Sequence, residues 1–363
     1  MNDLQSAELK PRIGALAMPV LGGRVDEYAT VGVSIAERLA VVELEFGFPA
    51  EFVGQELVES IDDAIRDDPN LDKVELRLKA VVKAHAVQSQ LKPLPGVTNI
   101  IAVASGKGGV GKSTTAVNLA LALAKAGART GILDADIYGP SQPRMLGLSG
   151  ERPQSPDGKT MYPLVAHGVE AMSMGFLVDE EEPMVWRGPM VTQALNQVLT
   201  QTNWGNLDYL IVDMPPGTGD IQLTLSQRVP VAGAVIVTTP QDIALLDARK
   251  GLEMFRKVSV PVLGIIENMS THICSQCGHE ESIFGAGGGQ KLADQKGVEL
   301  LGQLPLDINI GQQADNGRPT VIAEPDGDIA RAYQHCALRM TAALATKRRE
   351  FSHKFPKIVV ENS

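Results

Sequence analysis

A glycine-rich loop at residues 106–113, with the sequence GKGGVGKS, has the residue types and spacing of a phosphate-binding site. It fits the pattern Gly-x4-Gly-Lys-Ser/Thr, in which the glycines let successive backbone N–H groups converge on phosphate oxygens. The pattern predicts that Lys112 reaches the β- and γ-phosphates and that the Ser113 hydroxyl binds Mg²⁺. A buried strand at 100–104 and an apolar helix at 114–126 are predicted on either side, which favours a nucleotide site over a chance glycine-rich turn. The predicted nucleotide-binding residues of the loop are Gly106, Gly108, Gly109, Val110, Gly111, Lys112, Ser113 and Thr114.

Polar side chains also follow three other predicted strands. Asp134 and Asp136 close one strand, and Asp213 closes another. A lone aspartate at a strand end is usually a helix cap, but two such ends beside a phosphate loop favour Mg²⁺ binding or orientation of an attacking water. A third strand ends in Asn268, whose amide either pairs with the edge of adenine or stabilises a turn. The spacing alone leaves both interpretations open.

Cys274 and Cys277 form a C-x-x-C pair, and the third cysteine, Cys336, falls in a helical stretch that favours a core position. Two thiolates supply half of a tetrahedral metal or cluster site, so one chain cannot build a four-thiolate site, whereas a twofold dimer can. Zinc bound together with His272 or His279, a redox pair and two inert cysteines remain alternatives.

The predicted elements from residue 98 onward alternate between strands and helices. Most of the strands are continuous apolar runs, which is typical of strands covered on both faces. This pattern predicts a doubly wound α/β domain with a mainly parallel sheet, in which ligands bind beyond the carboxyl ends of the strands. The strand candidates are the segments 100–104, 130–134, 207–213, 233–238, 262–268 and 300–304.

A different, smaller pattern precedes this domain and predicts an α+β fold. Its elements are a helix at 28–39, a strand at 40–46, a helix at 53–67 and a strand at 73–81. The predicted layout is a poorly ordered lead-in at 1–25, the small domain at 26–88, a Pro/Gly linker at 89–97, the P-loop ATPase domain at 98–350 and a tail at 351–363.

The composition excludes several function classes. A formal charge of −10 and an aromatic content of 4% argue against nucleic-acid binding, which needs a basic face or a stacking platform. The longest apolar helix is too short to span a bilayer, and no basic-plus-apolar leader is apparent, so a cytoplasmic protein without a membrane partner is expected.

The motifs KGGVGKST, LDADIYGPS, DMPPGTGD and IENMS resemble those of the deviant-Walker P-loop ATPases, which include the nitrogenase iron protein, MinD and ParA. Within this class, the segment from about Leu94 to Val321 closely resembles the Mrp/ApbC family of iron–sulfur cluster carriers. The resemblance also covers Trp186 and Arg187, for which it indicates no role.

The resemblance implies a homodimer that hydrolyses ATP slowly and transfers a [4Fe–4S] cluster to apo iron–sulfur proteins. It implies that Lys107 reaches the phosphates of the partner subunit, that Asp136 helps to place the attacking water, and that Asp134 and Asp213 support Mg²⁺. Together with Lys112, Lys107 and Asp136 are the expected catalytic residues. The cluster is expected to be bridged between subunits by Cys274 and Cys277. The main alternative is a positioning ATPase of the MinD or ParA type with a structural zinc at the cysteine pair, and an ATP-dependent ligase is a further one.

Overall fold

The computed structural model describes residues 2–66, 68, 70–177, 188–274 and 276–352. These residues fall into two compact units, one formed by the chain up to Ala86 together with the chain from Thr341 onward, and the other formed by Val87–Met340. The sequence predicted that the ATPase domain spans 98–350. The structure instead places the last part of that range, from Thr341 onward, in the smaller unit. Apart from its first two residues, the predicted tail at 351–363 lies outside the described residues.

The smaller unit contains a three-stranded sheet with the strand order β1-β2-β3. Strands β1 and β2 are antiparallel, whereas β2 and β3 are parallel and are connected through α3. The elements are α1 (Asn2–Gly14), α2 (Val25–Tyr28), β1 (Ala29–Ala36), β2 (Leu39–Phe46), α3 (Gly54–Ile65) and β3 (Lys73–Ala80).

Two expectations for this unit are wrong. The segment predicted as a poorly ordered lead-in contains helix α1, because Leu9 and Ile13 on one face of that helix are buried in the core of the unit. The segment predicted as a helix at 28–39 is strand β1, since its alternating apolar residues pair with β2, as Val31 does with Leu44. The strand at 40–46, the helix at 53–67 and the strand at 73–81 are confirmed within one or two residues.

The larger unit is built on an eight-stranded sheet with the order β13-β10-β9-β4-β8-β5-β7-β6. All of its neighbouring strands are parallel except β6, which runs antiparallel to β7. Its strands are β4 (Val97–Ala104), β5 (Thr130–Asp134), β6 (Leu164–Ala166), β7 (Val169–Ser173), β8 (Leu207–Asp213), β9 (Gly233–Thr238), β10 (Val262–Glu267) and β13 (Glu299–Gln303). A separate hairpin consists of β11 (His272–Ile273) and β12 (Glu280–Glu281).

Helices cover the sheet of the larger unit, and the apolar residues of the central strands are almost fully buried beneath them. The helices are α4 (Lys112–Lys125), α5 (Gln142–Met145), α6 (Gly188–Gln201), α7 (Asp220–Arg228), α8 (Asp242–Lys257), α9 (Gly288–Lys296), α10 (Ile308–Asp315), α11 (Thr320–Ala323) and α12 (Asp328–Ser352). The residues of α12 from Thr341 onward belong to the smaller unit. Within the described ranges, no helix combines the length and the apolar character that crossing a bilayer requires.

The register of the parallel strands determines which side chains meet at the carboxyl edge of the sheet. Asp134 at the end of β5 lies directly beside Asp213 at the end of β8, and Asp213 lies beside Val103 near the end of β4. The phosphate loop follows β4 immediately. The fold therefore brings the loop and both aspartates to one place, as expected for an open parallel sheet.

Candidate functional site

The phosphate loop is held tightly between helix α8 and the end of strand β10. Gly111 adopts a left-handed conformation with φ of +79° at the start of α4, and a Cβ on it would lie 2.2 Å from Asn268 Nδ2. A Cβ on Gly106 would lie 2.1 Å from the carbonyl carbon of Asp247 in α8. These contacts explain why glycine is required at both positions, and they fix the path of the backbone N–H groups that would face a phosphate.

Lys112 is buried and forms an ion pair with the fully buried Asp213. Its Nζ also lies 3.1 Å from Ser113 Oγ. The ammonium group therefore contacts two of the three residues that the sequence predicts to support Mg²⁺. A buried charge of this kind is strongly destabilising if its partner is removed, so Lys112 can leave Asp213 only when another anion, such as a phosphate, takes it and another cation replaces it.

Asp134 anchors the segment that follows β5. One carboxylate oxygen accepts from Asp136 N at 3.1 Å, and the other accepts from Ser141 N at 2.9 Å, Gln142 N at 3.0 Å and Ser173 Oγ at 3.2 Å. Burial and the neighbouring Asp213 raise the pKa of Asp134 to about 7. With four donors in place, this carboxylate holds the segment that follows β5 and attaches it to Ser173. Its support of Mg²⁺ stays a prediction.

Asp136 differs from Asp134 because one of its oxygens is unused. Oδ1 is buried and has no hydrogen-bond partner among the described residues. Burial raises the pKa of Asp136, while the nearby Lys112 opposes that shift. A buried acceptor without a donor is the position in which a water molecule is expected, which fits the predicted role of Asp136 toward an attacking water.

The oxygen atoms grouped here suit Mg²⁺, which prefers carboxylate, hydroxyl and water oxygens. Two more of them, Ser141 Oγ and Gln142 Oε1, are buried without partners in the described part of the chain. Gln142 is a site residue that the sequence did not reveal. Its Nε2 lies 2.9 Å from Asp213 Oδ2 and 3.1 Å from Ser113 O. No motif or periodicity distinguishes this glutamine from the residues around it.

Asn268 is buried and supports the phosphate loop. Its Nδ2 donates to Val110 O at 2.9 Å, and its backbone N–H donates to Thr238 O at 2.7 Å. The side chain thus makes the contact expected of the turn-stabilising alternative, while a contact with adenine stays a prediction.

The cysteine pair lies at the tip of the β11–β12 hairpin. Cys274 is half-buried and Cys277 is exposed, and the turn is closed by hydrogen bonds from Cys274 N to His279 O at 2.9 Å and from Gly278 N to Cys274 O at 2.8 Å. The backbone N–H groups of Gln276 and Cys277, followed by the Cys277 thiol, lower the pKa of Cys274. These donors stabilise a thiolate, the form of cysteine that binds metals and clusters.

The third cysteine and the nearby histidines do not complete a metal site with the cysteine pair among the described residues. Cys336 is buried in α12, as expected, and burial raises the pKa of its thiol to about 12. Among the described residues, no group of three or more His, Cys, Asp or Glu side chains is placed to hold a metal ion. His272 points Nδ1 at Leu306 O, 3.0 Å away. A zinc site completed by a histidine of the same chain is therefore not formed by these residues. Trp186 and Arg187 lie outside the described residues.

Glu267, the residue before Asn268, is a fully buried carboxylate that the sequence analysis did not identify. It accepts a hydrogen bond from Gly289 N at the start of α9, and its other oxygen accepts from Gln303 Nε2 at 2.7 Å. The first turn of α9 is thereby attached to β10, since a carboxylate satisfies the free N–H groups at a helix start. The cysteine hairpin lies in the chain between β10 and α9, and the Glu267 hydrogen bond joins the end of the one to the start of the other.

Comparison with known proteins assigns this arrangement to a family. Residues 96–341 match the family model described as ParA, NUBPL iron-transfer P-loop NTPase. This chain belongs to that family. An iron–sulfur cluster carrier protein from Pseudomonas fragi is 64% identical over 273 residues, which cover 74% of this chain and 95% of the relative.

Solved structures share the fold of this chain. A nucleotide-binding protein from Archaeoglobus fulgidus, solved in complex with ADP, is 37% identical with a TM-score of 0.57 and covers 64% of this chain and 90% of its own. The cell division ATPase MinD of Pyrococcus furiosus is 22% identical with a TM-score of 0.50, covering 67% of this chain and 98% of its own, and shares the fold. The predicted fold class and the resemblance to iron–sulfur cluster carriers are confirmed.

Proposed function

We propose that this P-loop NTPase is an ATP-hydrolysing iron–sulfur cluster carrier that works as a homodimer. In this proposal Cys274 and Cys277 of two copies hold one [4Fe–4S] cluster, which is passed to apo iron–sulfur proteins. The single observation that carries the proposal is the cysteine pair at the tip of an accessible hairpin, next in the chain to the strand end that supports the phosphate loop. The name of the Pseudomonas fragi relative, an iron–sulfur cluster carrier protein, supports it.

The number of thiolates supports the dimer. A [4Fe–4S] cluster takes four thiolate ligands, and one chain offers two, from the half-buried Cys274 and the exposed Cys277, because Cys336 is buried. A twofold axis beside the hairpin supplies the other two. Two large apolar side chains of the same segment, Ile273 and Ile283, are 54% and 52% exposed. Such side chains suit an interface between subunits.

The nucleotide site supports the same assembly. Lys107 is half-buried. Among the described residues, none accepts a hydrogen bond from its ammonium group, and none forms an ion pair with it. In the proposal this lysine reaches the phosphates bound by the partner subunit, where a cation stabilises the negative charge of the leaving group. Lys112 moves from Asp213 to the β- and γ-phosphates of the nucleotide that its own chain binds. Asp136 accepts a hydrogen bond from the attacking water.

Mg²⁺ fits the oxygen-rich group around Ser113 and Asp213. When bound, the ion would neutralise charge on the β- and γ-phosphates. The residues of the chain provide the rest: Ser113 offers its hydroxyl, and Asp213 provides a carboxylate that is free once Lys112 has moved. Hydrolysis then depends on the closing of two subunits, so turnover is slow and tied to the state of the shared cluster site.

The test is anaerobic reconstitution with iron and sulfide, followed by absorbance spectroscopy and by metal analysis per dimer. Wild-type protein is expected to hold four irons per dimer, and Cys274→Ala and Cys277→Ala are each expected to lose the cluster absorbance. Cys336→Ala is the matched control and is expected to retain it. A product that contains zinc in place of iron, or cluster retention by both variants, would overturn the proposal.

ATP hydrolysis and cluster transfer are tested separately. Lys107→Ala is expected to bind nucleotide but to lose hydrolysis, because the residue acts on the partner's phosphates, whereas Lys112→Ala is expected to weaken binding itself. Transfer is followed by activation of an apo iron–sulfur enzyme, with free iron and sulfide as the control. Equal activation by the control and by the loaded protein would contradict the carrier role.

A further inference from the structure

Gln142 occupies the first position of the short helix α5 and is 1% exposed. Three of its hydrogen bonds go to the three residues that the sequence predicts to support Mg²⁺. Its backbone N–H donates to Asp134 Oδ2 at 3.0 Å, and its Nε2 donates to Asp213 Oδ2 at 2.9 Å and to Ser113 O at 3.1 Å. One residue thus ties together the ends of β5 and β8 and the start of α4.

The chemistry of the amide is matched to these partners. A glutamine NH₂ group has two donor hydrogens, and here one faces the carboxylate of Asp213 and the other faces a backbone carbonyl. The other oxygen of Asp213 is held by Lys112. When Lys112 turns toward a phosphate, the Gln142 bond is the one that keeps the Asp213 carboxylate in its orientation.

The neutrality of the amide is as important as its donors. The carboxylates of Asp134, Asp136 and Asp213 all lie near the ammonium group of Lys112. A neutral donor orients Asp213 without cancelling the negative charge that attracts a divalent cation. A cationic side chain in the same place would make the same contact but would repel the metal.

A second observation points to a ligand at Gln142. Its Oε1 is buried and has no hydrogen-bond partner among the described residues, and the same holds for the neighbouring Asp136 Oδ1. Buried polar atoms in proteins are normally paired with protein or with ordered water. The two oxygens therefore provide buried acceptors for water beside the carboxylates of the site.

We infer that Gln142 is a positioning residue for Mg²⁺: it holds Asp213 and Ser113 in place for the ion and offers Oε1 to a water molecule beside it. The inference rests on the proposed function, specifically on Mg²⁺–nucleotide binding. In it Gln142 acts through Asp213 and Ser113, the groups that would hold the ion, and makes no contact with the phosphate itself. Partners of this kind typically change metal affinity by about 10–100-fold when they are removed.

The experiment measures binding of a fluorescent ADP analogue, first with EDTA and then over a titration with Mg²⁺. Gln142→Met keeps the length and removes the amide, and it is expected to raise the Mg²⁺ concentration for half-maximal effect by about tenfold. Its affinity for the analogue in EDTA is expected to stay within about twofold of wild type, since the amide donates to Asp213 Oδ2 and Ser113 O and leaves the phosphate-binding N–H groups of the loop unused. Gln154→Met makes the same change at an exposed position and is expected to behave as wild type.

Gln142→Lys is the second variant, because it keeps a donor but adds a positive charge. It is expected to raise the Mg²⁺ requirement at least as much as Gln142→Met. Wild-type Mg²⁺ dependence in both variants would overturn the inference, and so would a parallel loss of Mg²⁺-free binding and of melting temperature, which indicates a purely structural role. Wild-type protein whose nucleotide binding ignores Mg²⁺ would instead contradict the proposed function.

Discussion

The phosphate loop offers a graded test of why its glycines are needed. Gly111→Ala places a methyl group at φ of +79° and 2.2 Å from Asn268 Nδ2. The left-handed conformation costs a non-glycine residue about 1–2 kcal/mol. The displaced amide loses its bond to Val110 O, and leaving a buried acceptor unpaired costs about 1–3 kcal/mol. The expected loss in the free energy of unfolding is the sum of the two terms, about 2–5 kcal/mol.

Two further substitutions separate steric contact from conformational strain. Gly106→Ala has ordinary φ, but its Cβ meets the backbone of Asp247, which cannot rotate away, so a shift of the loop costing about 1–3 kcal/mol is expected. Gly108→Ala is the matched control, because a Cβ there has nothing within 4 Å and φ is not in the left-handed region. Its free energy of unfolding is expected to change by about 0.5 kcal/mol or less.

Urea unfolding of nucleotide-free protein provides the assay, followed by tryptophan fluorescence. Trp204 is buried in the larger unit, so its fluorescence reports on the unfolding of that unit. Combining Gly111→Ala with Asn268→Ala is expected to cost less than the sum of the single variants, since the amide that clashes is then missing. The reasoning is refuted if Gly108→Ala is as destabilising as Gly111→Ala, or if the double variant is fully additive.

Three other predictions concern charge and thiol chemistry. Iodoacetamide at neutral pH is expected to label Cys274, because backbone N–H groups lower the pKa of its thiol. Cys336 is expected to stay unlabelled until the protein unfolds, because burial raises the pKa of its thiol to about 12. Equal labelling of the two cysteines, measured by mass spectrometry, would contradict this. Asp213→Asn leaves Lys112 buried without its counter-ion and is expected to lower the free energy of unfolding by about 3–5 kcal/mol, with partial recovery in the double variant that also carries Lys112→Met. The pKa of Asp134 is about 7 in the folded protein and about 4 in the unfolded chain, so protonation of Asp134 stabilises the fold fully below pH 4. This contribution to the free energy of unfolding is lost as the pH rises to 7, and Asp134→Asn is expected to flatten that decline. An unchanged dependence of the free energy of unfolding on pH, measured by urea unfolding, would count against it.

The sequence predicted the parts of the site that depend on local pattern. The loop at 106–113, Asp134 and Asp213 each follow a buried apolar strand, and the parallel register then brings them together without further information. The sequence did not reveal Gln142 or Glu267, because their partners come from several different elements and neither belongs to a spacing that has chemical meaning by itself. Their roles follow only from the folded contacts.

The wrong helix in the small unit has a similar cause. The segment 28–39 contains good helix formers, but Glu37 and Arg38 adopt left-handed φ values of 48° and 65° and turn the chain back into β2. The strand is stabilised by pairing with β2 and by burial of Ala29 and Val31, so tertiary contacts override local propensity.

The end of strand β10 joins the phosphate loop to the cysteine hairpin through a short link that is held by several hydrogen bonds. Asn268 holds the phosphate loop at Val110, and Ser270 then donates twice to Leu304 O, from its backbone N–H and from its Oγ, each at 3.0 Å. Leu306 N donates to Thr271 O at 2.7 Å, immediately before the hairpin begins. A link held in this way does not act as a flexible tether. The position of the hairpin relative to the phosphate loop is therefore set within the chain. In the dimer proposed above, this fixed position brings the two cysteine pairs to a defined separation.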